Sequence, residues 1–276
     1  MAEFQLYDFR RIDKPLSAEE RKQVESLSSH ISVSSRRAVV SYSYGDFKHD
    51  EEKVVAQYFD ALLYQTNWGQ KKLLFRFPKD SIDTEKLEEY FVDMGRLTGY
   101  TTEIRYWETA NYVLLNIEYC DDDFGDWVEE TDNSLDSLLD LRTEMMSGDF
   151  SCLYAFWLKL ASMEAESDDD DEPLELPAIP TGLAKPSSAL KSFIDFFEVD
   201  ARLVKAASSF VNPTNVSVTD VSAKIATMSD VLKNEWLTRL LEAEPLLDIK
   251  LKKYLLDSET GTIETTVSFA EIRSKL

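Results

Sequence analysis

The clearest pattern of apolar and polar positions lies in residues 46–78. The first part of this stretch carries apolar residues at helical spacing and predicts one long amphipathic helix: Val55, Tyr58, Phe59, Leu62 and Leu63. Trp68 and Gly69 then close the unit with a turn. The alternation of Leu73, Phe75 and Phe77 predicts a strand after the turn. We therefore expect the core of the N-terminal region to form here.

Strands and helices alternate in the rest of residues 1–119. Strands are predicted at 4–12, 38–44, 102–107 and 112–119, and helices at 18–28 and 83–91. Ser17 and Glu20 have the spacing of a capping box, and Asp83 is placed to cap the second helix, with Phe91 facing inward. This order predicts an α+β fold in which helices pack on one face of a mixed sheet, as a two-layer sandwich.

Helical periodicity dominates the second half of the chain. The predicted organisation is an α+β sandwich domain at 1–119, an acidic loop at 120–132, bridging helices at 133–163, an acidic and proline-containing linker at 164–182, a helical domain at 183–256 and a tail at 257–276. Residues 150–163 are apolar nearly all round, so we expect this helix to be buried between the two halves. For the tail we expect a loose segment or one short strand.

Charge is distributed very unevenly along the chain. The formal net charge is −22, of which residues 1–117 contribute −3, residues 118–175 contribute −18 and residues 176–276 contribute −1. Such a block is typical of a solvated tail, a linker or an interaction surface. Its repulsion of phosphates argues against direct binding of double-stranded nucleic acid.

The acidic block supplies the candidate binding residues. We expect it to engage a basic protein partner, for which a nucleic-acid-handling protein is one class, through Asp121, Asp122, Asp123, Asp126, Trp127, Glu129, Glu130, Asp168, Asp169, Asp170 and Asp171. The indole of Trp127 either packs on the core or anchors that partner. The leading hypothesis is thus a non-enzymatic interaction protein, and the sequence leaves its oligomeric state open.

The sequence lacks the spacing of known metal and catalytic motifs. Counted from Asp121, the acidic loop places Gly125 at position 5 and Asp132 at position 12, which fails the calcium-loop pattern. The histidines and cysteines lack the close pairs of a zinc site. We therefore predict no metal, no cofactor and no catalytic residues.

Two alternative functions stay open. One is a carboxylate- or metal-dependent hydrolase with a cleft between the two halves, which would need two close carboxylates with raised pKa values. The other is a single-strand nucleic-acid binder that uses the N-terminal sheet. Its bases would stack on Tyr42, Tyr44 and Phe77, and those rings would have to be exposed.

The location follows from three features. The N-terminus lacks a secretory signal pattern, and the longest apolar run, near Phe150 to Leu160, is too short for a membrane span. The chain has only Cys120 and Cys152, so no disulfide framework is implied. These features predict a soluble, cytoplasmic protein without membrane partners.

Four stretches resemble an uncharacterised family of acidic bacterial proteins. They are residues 7–20, 44–78, 176–204 and 226–245, and the most specific parts are the IDKPLS segment at 12–17 and the NWG segment at 67–69. The family has no assigned activity, so the resemblance implies a bacterial, cytoplasmic origin and no mechanism. Its members often continue past the point that corresponds to Leu276.

Overall fold

The computed structural model describes residues 4–93, 101–120, 134–165, 175–211, 221–244, 246–256 and 266–276. The chain divides into two compact units, Met1–Arg142 and Thr143–Leu276. The first unit contains an antiparallel sheet with helices, and the described part of the second is helical. The expected α+β class is confirmed.

Eight strands form the sheet of the first unit. They are β1 (Phe4–Arg10), β2 (Ile31–Val33), β3 (Arg37–Ser43), β4 (Ala61–Thr66), β5 (Gln70–Pro78), β6 (Val92–Asp93), β7 (Glu103–Glu108) and β8 (Tyr112–Cys120). Their spatial order is β2-β3-β1-β4-β5-β8-β7-β6. Every pairing among them is antiparallel. The sheet is therefore not mixed as expected, because β2–β3, β4–β5 and β7–β8 are successive strands that pair directly, which antiparallel strands can do across short turns.

The helices of the first unit begin where local caps predict them. They are α1 (Ala18–Glu25), α2 (Glu51–Tyr58), α3 (Thr84–Glu88), α4 (Ser134–Leu138) and α5 (Asp140–Met146), the last of which continues into the second unit. The capping box of Ser17 and Glu20 is present, and the Asp83 carboxylate accepts from the backbone N–H of Lys86. Both predicted caps are confirmed. Phe91, however, is 56% exposed rather than inward, because α3 ends at Glu88.

The stretch at 46–78 folds differently from its predicted pattern. Helix α2 ends at Tyr58, and Leu62 and Leu63 lie on strand β4. Leu62 is paired with Phe9 on one side and with Leu74 on the other. An apolar run of this length fits both a helix face and a buried strand, so pairing on both sides decides in favour of the strand. Gly69, with φ of 91°, closes the β4–β5 hairpin in a conformation that favours glycine.

One face of the sheet carries the main apolar cluster of the first unit. Tyr7 and Phe9 of β1 lie on this face, and the ring of Phe9 is 5.1 Å from that of Phe59 at the end of α2. Buried residues from both layers complete the cluster: Leu16, Val24, Ala38, Val40, Phe47, Val54, Val55, Tyr58, Leu62, Tyr64, Leu74 and Leu114. Burying large apolar side chains of this kind stabilises a fold by about 1.5–3 kcal/mol each. This cluster holds α1 and α2 against the sheet.

A buried ion pair joins α2, β4 and β5. Asp60, between α2 and β4, is 1% exposed, and its Oδ1 accepts from Arg76 of β5 at 2.6 Å. Its Oδ2 accepts from the backbone N–H groups of Ile12 and Asp13 at 2.7 and 3.1 Å. Arg76 also donates to the carbonyl oxygen of Ala56. Each polar group of the pair is thereby hydrogen-bonded, as burial requires.

Arg142 of α5 extends this pair into a network. Its two terminal nitrogens donate to the two carboxylate oxygens of Asp13, each at 2.8 Å, and its Nε donates to the carbonyl oxygen of Arg76 at 2.7 Å. Such bidentate pairing is among the stronger hydrogen-bonded arrangements in proteins. We call Asp13, Asp60, Arg76 and Arg142 the Asp60 network. It connects the segment after β1 with α2, β5 and α5.

The second unit holds the other helices. Those described are α6 (Ser151–Glu164), α7 (Ser188–Phe196), α8 (Ala201–Ser208), α9 (Val221–Thr227), α10 (Asp230–Leu241), α11 (Leu247–Leu256) and α12 (Phe269–Arg273), with a single turn of 3-10 helix at Thr181–Ala184. Residues Ser151 to Ala161 of α6 are all buried, in agreement with their apolar pattern. The Phe156 and Phe193 rings each approach Phe197, at 5.2 and 4.7 Å.

The tail differs from its prediction. Helix α12 lies within it, where a loose segment or a short strand was expected. Ser268 and Glu271 form a capping box, and Ile272 is fully buried. The helix has only five residues, too few for a clear periodic pattern, so burial of Ile272 rather than local propensity accounts for it.

The Asp60 network should be a main source of stability of the first unit. Asp60→Asn keeps the shape of the side chain but leaves the Arg76 guanidinium buried without a counterion, so we expect the free energy of unfolding to fall by about 3–5 kcal/mol. Urea unfolding followed by circular dichroism measures this loss. The matched control is Glu108→Gln in the exposed pair with Lys79, for which we expect about 1 kcal/mol or less. Equal effects of the two substitutions would contradict this role.

Acid should remove the same contribution. Burial alone would raise the pKa of Asp60, but Arg76 and its other donors outweigh burial and hold that pKa below its ordinary value. A carboxyl with a lowered folded pKa stabilises the fold above its unfolded pKa of about 3.9 and loses this effect as the pH falls through the folded value. The difference in melting temperature between wild type and Asp60→Asn should therefore be constant from pH 7 to about pH 5 and shrink below about pH 4. A difference that grows in acid would show the opposite sign.

Candidate functional site

The predicted partner-binding residues lie outside the described part of the chain. Residues 121–133 and 166–174 contain all of them: Asp121, Asp122, Asp123, Asp126, Trp127, Glu129, Glu130, Asp168, Asp169, Asp170 and Asp171. What the structure does describe are the elements that flank the two segments and the basic residues of the acidic block. The described part of the candidate site therefore consists of these flanking elements and basic residues.

Each acidic segment is attached to buried residues. The first connects β8, whose last residue Cys120 is 6% exposed, to α4, whose Leu135 is fully buried. The second follows α6 and precedes Leu176, which is 6% exposed. The folded parts of the two units thus fix where both acidic segments begin and end.

An ion pair fastens α4 at the end of the first segment. Asp136 accepts from Nε of Arg10 on β1 at 2.8 Å, and this hydrogen bond lowers the pKa of Asp136. Arg10 and Arg37 also flank the buried Asp8. Burial raises the pKa of Asp8 even though both guanidinium groups oppose it. Asp136 is consequently a charged residue that attaches α4 to β1. Asp8, in contrast, forms ion pairs within the sheet.

The two basic residues of the acidic block are both structural. Residues 118–175 contain only Arg142 and Lys159 as cations. Arg142 is 2% exposed and bonded to Asp13, as described above. Lys159 is 9% exposed, and its ammonium donates to the carbonyl oxygen of Phe197 at 2.7 Å. Both cations are therefore buried within the fold.

A second polar constellation lies on the sheet beneath the start of α2. Lys72 of β5, which is 7% exposed, places its ammonium 2.8 Å from Glu51 and 3.1 Å from Glu118. Amide groups and a second cation complete what we call the Lys72 cluster: Glu51, Glu52, Gln70, Lys72, Glu103, Arg105, Asn116 and Glu118. The two cations face four carboxylates, so the cluster is acidic by two charges.

The carboxylates around Lys72 hold its ammonium in the charged form. Burial alone would lower the pKa of Lys72, but Glu118 and Glu51 outweigh burial and raise it. The neighbouring phenols of Tyr7 and Tyr64 also have raised pKa values, mainly through burial. At neutral pH the lysine is thus a bound ammonium and both phenols are protonated. None of the three has the pKa near 7 that suits a general base.

The hydrolase hypothesis required two close carboxylates with raised pKa values. Among the residues that the structure describes, Asp8 has a raised pKa, and it lies between Arg10 and Arg37. In the same ranges, no group of three or more His, Cys, Asp and Glu side chains is placed to hold a metal ion. The described carboxyl with a raised pKa thus belongs to an internal ion pair of the sheet, and the hydrolase hypothesis stays a prediction.

The aromatic platform of the nucleic-acid hypothesis is not assembled. Tyr44 is 75% exposed, but Phe77 is fully buried. Tyr42 lies on β3 and Phe77 on β5, and two other strands separate them in the sheet. The strand pairings place Tyr42 on the same face as Leu62 and Leu74. Phe77 is three residues after Leu74 on β5, so its side chain lies on the opposite face. These three rings do not form one stacking surface.

Sequence reasoning overlooked the Lys72 cluster and the Asp60 network. A signal was present: Lys72 and Arg76 interrupt the apolar strand β5, and Asn116 and Glu118 interrupt β8. Because side chains alternate between faces, each pair lies on one side of its strand. Polar residues at alternate positions in otherwise buried strands indicate an internal polar layer, although their partners cannot be read from spacing.

The comparisons add no relative. Family models, curated proteins and solved structures were compared with the chain, and none of them matches. The resemblance to the acidic bacterial family stays a prediction. None of the described helices has the length and apolar character that crossing a membrane would require.

The role of the Lys72 cluster can be tested by removing its central cation. Lys72→Met leaves Glu118 buried without a counterion, and we expect the free energy of unfolding in urea to fall by about 3–5 kcal/mol. The double variant Lys72→Met, Glu118→Met removes both charges and should recover much of the loss. Lys53→Met is the control, since that lysine is largely exposed and should contribute about 1 kcal/mol or less. A double variant no more stable than Lys72→Met would contradict charge pairing as the cause.

Proposed function

We propose that this chain is a non-enzymatic interaction protein that engages a basic protein partner through its central acidic block. The observation that carries the proposal is the fate of the block's two cations. Arg142 and Lys159 are both buried and bonded within the fold. Residues 118–175 therefore present no exposed basic side chain of their own.

The charge itself is concentrated in the two segments between the anchors. Residues 121–133 and 166–174 together hold thirteen acidic residues and no basic residue. Acidic residues in the flanking elements are partly used internally, as Glu118 is by Lys72 and Asp136 by Arg10. The segments rather than the folded elements are thus the source of the attractive field that we propose.

The physics of such a field defines the partner. Concentrated negative charge attracts a surface rich in Lys and Arg and speeds the encounter more than it adds affinity. It repels phosphates, so the partner is a basic protein rather than nucleic acid. Proteins that handle nucleic acids commonly carry such basic surfaces, and we infer that the partner belongs to this class.

A cytoplasmic location accords with this proposal. Cys120 and Cys152 are both buried, and burial strongly raises the pKa of the Cys152 thiol. Reduced thiols are the usual state in the cytoplasm. We infer that the protein acts there.

Binding of a basic peptide tests the proposal. A fluorescently labelled decalysine peptide is titrated with the protein at 50 mM and at 200 mM salt, and its anisotropy is measured. We expect the wild type to bind at low salt and to lose on the order of tenfold in affinity at the higher salt, because exposed charges are screened. Replacing the ten acidic candidates by their amides should weaken binding at low salt by about tenfold or more.

A matched control locates the effect. The variant with Asp168, Asp169, Asp170 and Asp171 changed to Asn loses four charges in one segment. The control changes four exposed glutamates of the folded elements to Gln: Glu19, Glu85, Glu235 and Glu242. We expect the segment variant to weaken binding several-fold more than the control, because adjacent charges act together. Equal losses of affinity in the segment variant and the control would mean that the peptide responds to the total charge of the protein and not to the segment. Unchanged binding in the variant with all ten replacements would refute the proposal.

A further inference from the structure

A small cavity lies between two helices of the second unit. Its volume is about 280 Å³, and it is bounded by the turn at Thr181–Ala184 and by helices α7 and α8. Three buried apolar side chains, Leu183, Ile194 and Val204, are exposed to solvent by less than a tenth and form its floor. None of the described residues that line it belongs to the acidic block. The cavity is thus a feature that the proposed function leaves unused.

Helical spacing brings polar groups to the rim. On α7, Lys191 and Asp195 are four residues apart, and on α8, Ala201 and Lys205 are four residues apart. Residues at this spacing share one helix face. The two helices therefore turn their lysines toward the same opening.

The two rim lysines differ from Lys159 and Lys250 of the same unit. Lys159 is bonded to the carbonyl oxygen of Phe197, and Lys250 pairs with Glu244 at 2.7 Å. Lys191 and Lys205 are exposed, and neither ammonium has a carboxylate within 4.0 Å among the residues that the structure describes. In a chain of net charge −22, two such cations beside an apolar cavity favour an anionic ligand.

Size and charge restrict that ligand further. Since a water molecule occupies about 30 Å³ in the liquid, the cavity volume matches roughly nine non-hydrogen atoms. Asp195 also lines the rim, so two lysines and one carboxylate leave one net positive charge there. A ligand with one negative charge and an apolar part of about this size matches both the volume of the cavity and the charge of its rim. A dianion would exceed the rim charge, and a cation would face two lysines.

We propose that this cavity binds a small aliphatic monocarboxylate, with its chain on Leu183, Ile194 and Val204 and its carboxylate between Lys191 and Lys205. Apolar burial supplies the affinity, and the lysines supply the selectivity for the anion. The described residues that line this cavity lie outside the acidic block in the sequence, and the proposal does not depend on the function proposed for that block.

Octanoate is the probe, and octylammonium is its cationic match. Both are titrated into the full, ¹⁵N-labelled chain, and amide shifts are followed by NMR. For octanoate we expect a Kd that is roughly millimolar, with the largest shifts at Ala184, Ala201 and neighbouring residues. Octylammonium has the same alkyl chain and should bind weaker by about fivefold or more, since exposed ion pairs contribute modestly. Absence of shifts at these residues, or equal affinities, would overturn the proposal.

Two variants separate the lysines from the cavity. Lys191→Gln with Lys205→Gln should remove the preference for octanoate while residual apolar binding persists, because both lysines are exposed and the floor is untouched. Ala201→Phe fills the cavity from its exposed rim and should abolish octanoate binding without lowering the melting temperature. Lys233→Gln on α10, outside the cavity, is the control and should leave both affinities unchanged. Octanoate selectivity that survives in the double lysine variant would contradict the assigned roles.

Discussion

The buried pair of Asp60 and Arg76 is the interaction on which the first unit depends. Two charges taken out of water are tolerated only when nearly all their hydrogen-bonding capacity is used. Here Asp60 accepts from Arg76 and from the backbone of Ile12 and Asp13, while Arg76 also bonds Ala56. These partners come from several separate segments, so the pair forms only when they are all in register. It therefore specifies the arrangement of the sheet as well as stabilising it.

The Asp60 network also holds one of the two cations of the acidic block. Arg142 donates hydrogen bonds to Asp13, and Lys159 donates one to the carbonyl oxygen of Phe197 within the second unit. In the Lys72 cluster, Glu118 is likewise buried and forms an ion pair with Lys72. The fold thus buries the two cations of the block, whereas the sequence of residues 121–133 and 166–174 holds thirteen acidic residues and no basic one. The proposed interaction with a basic partner follows from this division.

Local signals predicted local features well. Ser17 with Glu20, and Asp83, cap helices because these bonds involve residues within one turn. Leu62 and Leu63 were assigned to a helix because their spacing fits two periods, and only pairing with β1 and β5 decides between them. The mixed sheet was wrong for the same reason, since strand direction depends on contacts distant in sequence. The α+β class could be predicted, but its register could not.

The candidate site was predicted only in its charge. The sequence showed where the acidic residues are, but not that Arg142 and Lys159 are buried, because burial of a cation depends on partners such as Asp13 and Phe197 far along the chain. The Lys72 cluster was likewise assembled from α2, β5, β7 and β8. Polar residues inside apolar strands indicated that a buried polar group exists. Which residues pair with one another depends on the three-dimensional arrangement of the strands.

Zero-length cross-linking tests the central claim most directly. A carbodiimide joins carboxylates to amines that touch them, so treating a lysate of the source cells at low salt and analysing the peptides by mass spectrometry identifies which acidic residues meet a partner's lysines. The account predicts cross-links from residues 121–133 and 166–174 to one basic protein, lost when salt is raised before the reaction. Cross-links that arise equally from glutamates of the folded elements, such as Glu19 and Glu85, would contradict it.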